Sequence, residues 1–167
     1  MVVFLWILMF LSSGPGNGLS NFRSGERSPS SVRILSDSLS GEACARISGY
    51  SEKKGGTLAW TYVEDLPDDL SEARFLLKVR GRGPIRASLY FRKGKSRPFY
   101  FLRREVYLED TAVTLIFPTE EAKPIWSSNF PEALLPDKNA DLFLFIDNFS
   151  PGSLDVYVEK FEMEGIK

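Results

Sequence analysis

The chain contains no histidine and one cysteine, Cys44. The first absence removes the commonest general base and the commonest transition-metal ligand. A Ser-His-Asp triad, a Cys-His nucleophile pair and a His-ligated zinc site are thereby excluded. The second absence rules out an internal disulfide and any multi-cysteine metal site, and Cys44 itself reads as a small core residue. Neither sign of charge is in excess: 21 Lys and Arg stand against 22 Asp and Glu, a net of −1. Nothing in bulk therefore draws the chain to nucleic acid or to an anionic membrane surface. Long helical periodicity and internal repeats are missing as well.

What is present is enough for one ordinary domain. The chain has 167 residues, 43% hydrophobic and 13% aromatic, which argues for a real core. Its start, "MVVFLWILMFLSSGPGNG", carries an apolar run from Val2 to Leu11 followed by small residues. The run is too short to span a bilayer as a helix and matches the hydrophobic region of a signal peptide. No Lys or Arg precedes it, so an uncleaved anchor is the alternative. Residues 1–18 are thus read as a signal peptide or N-terminal anchor, and the protein as secreted, periplasmic or cell-surface. Contact with a membrane is expected only through an uncleaved N-terminal segment. Residues 19–31, "LSNFRSGERSPSS" from Leu19, read as a flexible arm, and 32–167 as the folded domain.

Beyond Val32 the pattern is strand after strand. "TLAWTYVE" sets Leu58, Trp60 and Tyr62 on one face against Ala59, Thr61 and Val63. "ARFLLKVRG" sets Phe75, Leu77 and Val79 against Arg74, Lys78 and Arg80, and "IRASLYFRKG" sets Ile85, Ala87, Leu89 and Phe91 against Arg86, Ser88, Tyr90 and Arg92. Gly81-Arg82-Gly83-Pro84 separates these two as a turn. "DLFLFIDN" is apolar on both faces, as in a central strand covered on both sides. After a Ser150-Pro151-Gly152 turn, "SLDVYVEKFEMEG" alternates until Val158, where the phase slips before Phe161; a β-bulge near Glu159 or Lys160 would produce that. Period-two alternation in seven or eight short runs predicts an all-β fold, an antiparallel β-sandwich of jelly-roll type.

The candidate site is the cationic side of the central strands. With Phe75, Leu77, Val79, Leu89 and Phe91 inward, Arg74, Lys78, Arg80, Arg86, Tyr90 and Arg92 project from the sheet. Guanidinium forks bind hydroxyls, carboxylates and sulfates, and aromatic faces stack on sugar rings. The competing reading is a solvated face on which long cationic side chains cover apolar surface. Trp126, in the long proline-interrupted connection, either caps this face or pins its loop to the sandwich. Trp60 and Tyr62 read as core, by their shared face with Leu58. The acidic cluster Glu64, Asp65, Asp68, Asp69 and Glu72 reads as a solvated loop, with calcium binding or carboxylate catalysis as the lesser alternatives. Asn148-Phe149-Ser150 fits the N-glycosylation pattern but precedes Pro151, and is taken as coincidental.

The order of these pieces resembles the galactose-binding-domain-like jelly rolls. The resemblance rests on "SGEACARISGY", the Gly-Gly turn, "TLAWTYVEDLPDDLSEARFLLKVRGRGP" and the close "LFIDNFSPGSLDVYVEKFEME". That group holds many non-catalytic carbohydrate-binding modules and the complex I intermediate-associated protein family. The resemblance implies a non-enzymatic binding module for carbohydrate or another extracellular polymer. A structural or assembly protein that docks a protein partner through the same sandwich is the alternative. No cofactor is expected. Many such modules hold a structural calcium between their first and last strands, but Glu159-Lys160 stands where their acidic pair would be, and a lysine there opposes an ion.

Overall fold

The computed structural model describes residues 22–24, 31–36, 43–51, 57–63, 66, 70, 72–93, 100–124 and 140–165. Residues 1–18, the acidic positions Glu64, Asp65, Asp68 and Asp69, and Trp126 lie outside this set. Among the described residues are ten strands: β1 (Arg23–Ser24), β2 (Ser31–Ser36), β3 (Ala43–Ser51), β4 (Thr57–Val63), β5 (Arg74–Lys93), β6 (Tyr100–Glu109), β7 (Val113–Pro118), β8 (Lys123–Pro124), β9 (Ala140–Asn148) and β10 (Gly152–Glu164). One 3-10 turn, Thr119–Glu121, follows β7. Every pairing is antiparallel. The all-β jelly-roll expectation holds.

The organising element is β5, 20 residues long, where two strands and a turn were expected. Its first half pairs with β10 and β7, and its second half with β9 and β6. Two layers result: β2-β3-β10-β5-β7, and β1-β4-β9-β5-β6 with β8 beyond β6. Gly81 and Gly83 carry the change of layer at φ of +142° and +113°, values that side-chain-bearing residues rarely adopt. The fold-back is nearly complete. Phe75 and Phe91 would lie about 50 Å apart on an unbroken strand; here their ring centroids are 6.0 Å apart.

The core sits between the layers. Phe75, Leu77, Val79, Leu115, Phe117, Leu154, Val156, Val158 and Phe161 face it from the first sheet, and Ile85, Ala87, Leu89, Phe91, Leu102, Leu142, Leu144 and Ile146 from the second; all are buried. The expected bulge is present: the register of β10 on β5 shifts between Val158 and Lys160. Without that extra residue Lys160 would point into the core; with it, Phe161 does, and stacks on Phe75 at 6.0 Å. Beneath β7, buried Thr119 places Oγ1 2.5 Å from the Leu70 carbonyl and 2.9 Å from that of Ala73, tying down the approach to β5.

Three expectations change. Phe22 is buried and Arg23–Ser24 pair with β4, so the segment read as a flexible arm contributes a strand. Cys44 is half-buried rather than a core residue, because β3 turns Ala45 and Ile47 inward and sets Cys44 in the outward phase. β9 is central between β4 and β5, as expected, but covered on one side only: Phe143 and Phe145 are half-buried on the outward face. Asn148 itself is fully buried, which removes its side chain from reach of a glycosylating enzyme in the folded protein.

Candidate functional site

With the aliphatic side chains of β9 committed to the core, its two phenylalanines must face outward, and strand register carries their pattern sideways. Tyr62 lies opposite Phe143, Phe143 opposite Tyr90, and Tyr90 opposite Phe101, giving one aromatic from each of β4, β9, β5 and β6. The next row runs Arg23, Trp60, Phe145, Ser88, Arg103 across β1, β4, β9, β5 and β6. A third sets Asp147, Arg86 and Glu105 side by side. Six aromatic rings thus share one outward sheet face. Their contacts are tight: Tyr62 meets Phe143 edge-on at 5.3 Å, Tyr90 meets Phe145 edge-on at 5.2 Å, and Trp60 stacks on Phe145 at 6.4 Å.

Charged groups frame the rings. Arg92 lies over Phe143, 4.6 Å from its centroid, and donates to Asp141 Oδ2 at 3.3 Å. Tyr62 Oη donates to Asp141 Oδ1 at 3.2 Å. Arg86, buried, donates from Nε to Glu105 Oε1 at 2.7 Å and lies 4.0 Å from Asp147. Burial pushes the Asp147 carboxyl up to about 6, against the opposing pull of Arg86 and Arg103; Glu105 adds to the rise. Ser88 Oγ, Arg92 Nε and Asp147 Oδ1 are buried here without a hydrogen-bond partner in the protein. Unsatisfied buried polar atoms are costly and few in native folds, and three on one face mark it as unusual.

The sequence-predicted set divides between the layers. Arg86, Tyr90 and Arg92 belong to this face, Tyr90 at the centre of the aromatic row and Arg86 locked to Glu105 beneath it. Arg74, Lys78 and Arg80 precede the Gly81–Gly83 crossing and lie on the outer side of the other sheet, so the six do not form one surface. There Lys78 and Arg80 clamp Glu159 at 3.0 and 2.8 Å. Burial opposes the charge on Glu159, but the hydrogen bonds from Arg80 and Lys78 outweigh it and hold the carboxyl below its ordinary range. Arg46 grips Asp155 with two hydrogen bonds of 2.8 and 2.7 Å, and Arg46 and Arg80 both lie over the Tyr157 ring. Apart from Arg74, which has no ion pair among the described residues, that side is a solvated cover whose charges neutralise one another. Glu159, at the place where the resemblance puts a calcium ligand, is engaged with cations, and among the described residues no cluster suits a metal.

Trp60 and Tyr62 correct the sequence reading most directly. They face outward, while Ala59, Thr61 and Val63 are the buried phase of β4. Register with β9 decides this, because Trp60 must follow Phe145 and Tyr62 must follow Phe143. Phe101, Phe143, Phe145, Arg23 and Arg103 also belong to the face and were not singled out. The two-sided apolarity of "LFLFI" is the signal that points to them.

The architecture has solved counterparts. A family 11 carbohydrate-binding module from Clostridium thermocellum, solved in complex with a β-1,3-1,4-mixed-linked tetrasaccharide, superposes with a TM-score of 0.60 at 15% identity, covering 90% of this chain and 92% of that one. The family 11 module of a cellulosomal cellulase of the same organism gives 0.59 at 16% identity, over 92% and 93%. The CBM22-1 xylan-binding domain of Paenibacillus barcinonensis gives 0.54 at 9% identity, over 90% and 88%. The chain has the jelly-roll fold of these modules. At such identities the likeness concerns the fold, and no family model and no curated protein matches the chain. The jelly-roll fold expected from the strand order is therefore the fold found.

Proposed function

We propose that the protein is a non-catalytic carbohydrate-binding module, exported by way of residues 1–18, that holds a glycan against the outward face of its second sheet. The observation that carries this is the row Tyr62, Phe143, Tyr90, Phe101 with Trp60 and Phe145 beside it. Three inter-strand steps make the row about 14 Å long, which accommodates a short run of pyranose rings. Aromatic faces take the apolar faces of sugars, and the framing Asp141, Arg92 and Arg103 offer acceptors and donors to hydroxyls. The jelly-roll modules that share the fold, one holding a tetrasaccharide and one described as xylan-binding, support the reading.

Affinity electrophoresis on a panel of soluble polysaccharides tests it. Tyr90→Ala and Trp60→Ala are each expected to weaken retention about tenfold, in line with one lost stacking ring. Both variants should keep a cooperative unfolding transition, since neither side chain is in the core. Absence of retention of the unaltered chain on every polysaccharide, with a protein partner captured stoichiometrically instead, would replace this reading by a docking role. Export has its own check: the mature protein from the producing cell is expected to begin near residue 19 by N-terminal sequencing.

A further inference from the structure

We infer that the glycan is anionic, a polysaccharide bearing carboxylates or sulfates, gripped along the Arg23-Trp60-Phe145-Ser88-Arg103 row by a guanidinium at each end. The inference rests on the glycan-binding role proposed for this face and goes beyond it to ligand charge.

The four arginines of the face are not equivalent. Arg86 and Arg92 each have a carboxylate, Glu105 at 2.7 Å and Asp141 at 3.3 Å. Arg23 and Arg103 have no ion-pair partner among the described residues. Each lies on an aromatic ring instead: Arg23 over Trp60 at 5.4 Å, and Arg103 over Phe101 at 5.2 Å, with a 3.4 Å hydrogen bond to Tyr90 Oη. Stacking holds a guanidinium by its face and leaves most of its edge N–H groups to bind an oxyanion in a fork. Both are exposed, so an incoming ligand reaches them without displacing a carboxylate.

Geometry makes the two cations a pair. They occupy opposite ends of one register row spanning five strands, about 19 Å at the usual inter-strand spacing. Between them lie Trp60 and Phe145, stacked within 23° of parallel, and the buried Ser88 hydroxyl. No acidic side chain stands in that row. The neighbouring acids, Asp147 and Glu105, flank Arg86 one row away. The opposite sheet supplies the contrast: there Arg46, Lys78, Arg80 and Arg82 each have a carboxylate, Asp155, Glu159, Glu159 and Asp110 respectively. Among the described residues Arg74, exposed at the end of that sheet, has no ion pair but lies on no aromatic ring. The cations that are both unpaired and held on rings are those of the aromatic platform. A neutral sugar chain would satisfy the rings and leave both guanidiniums without a direct ion pair.

Isothermal titration of the full chain tests the inference with matched probes: polygalacturonate against its methyl-esterified form, dextran sulfate against dextran, and neutral mixed-linked β-glucan. At least one anionic probe is expected to bind about tenfold or more tighter than its uncharged counterpart, a preference that weakens as salt is added. The uronate and sulfate arms then distinguish which anion the row takes. Arg23→Ala and Arg103→Ala should each weaken anionic binding about fivefold more than they weaken any neutral binding, whereas Arg82→Ala on the other sheet should change neither. Equal binding of charged and uncharged probes, or equal loss in all three arginine variants, overturns the inference while the glycan-binding reading stands. Binding to none of the probes, neutral ones included, takes both down.

Discussion

Gly81→Ala is expected to lower the thermal midpoint by about 10 °C, and Gly152→Ala by about half as much. The two glycines have nearly the same φ, +142° and +140°, a value at which an alanine is strained in either place. Their surroundings differ. A Cβ at Gly81 would lie 2.1 Å from the Asp155 carbonyl oxygen and 2.9 Å from Val156 Cα, whereas at Gly152 nothing lies within 4 Å. The obstacle at Gly81 is backbone of the paired strand β10, which cannot rotate away as a side chain would. Relief requires β5 and β10 to separate at the corner where the chain changes layer. Backbone strain of about 1–3 kcal/mol applies at both sites, and forced overpacking adds about 1–3 kcal/mol at Gly81. At about 2–4 °C per kcal/mol for a chain of this size, the combined cost gives the larger shift. Scanning calorimetry of the two variants side by side separates the terms; equal midpoints would mean that the close approach of β10 is not what requires glycine.

Asp147→Asn is expected to stabilise the protein above pH 6 and to leave it unchanged below pH 4. Burial raises the folded-state carboxyl to about 6 despite Arg86 at 4.0 Å, whereas an unfolded aspartate titrates near about 3.9. The folded protein therefore holds the proton more tightly, and stability is fully present below the unfolded value. It declines as pH rises through the interval and is lost above about 6, at a cost of about 3 kcal/mol. An asparagine of the same shape has no charge to desolvate, so its variant should lack this decline. Denaturant unfolding of both proteins at pH 4 and pH 7.5 checks it. If Asp147→Asn were destabilising at pH 7.5, the Arg86 contact would outweigh the burial of the charge.

Much of the fold was legible because period-two alternation is a local property. The strands around Trp60, Phe75, Leu89 and Val156 could be read residue by residue. The slip between Val158 and Phe161 predicted a bulge, and the register shift is there, because a polar Lys160 cannot occupy the inward phase. The site was less legible. Alternation says which residues share a side of one strand, but nothing about which side the core lies on. For β4 the bulkier phase of Leu58, Trp60 and Tyr62 reads as core, yet the smaller side chains Ala59, Thr61 and Val63 are the inward ones. The aromatic platform exists only through register between β4, β5, β6 and β9, whose members lie far apart in the chain.

The amino-acid sequence by itself determined that chemistry depending on histidine or on paired cysteines is absent, that the chain is built of strands, and where its last strand changes phase. These follow from residue inventory and local periodicity. Only the tertiary structure decided which cations share a surface. Arg74, Lys78 and Arg80 have the same parity on β5 as Arg86, Tyr90 and Arg92, and on a straight strand they would form one face. The positive-φ glycines at 81 and 83 fold the strand back so that Phe75 meets Phe91. When two halves of a strand turn the same phase inward toward each other, their outward phases must point in opposite directions.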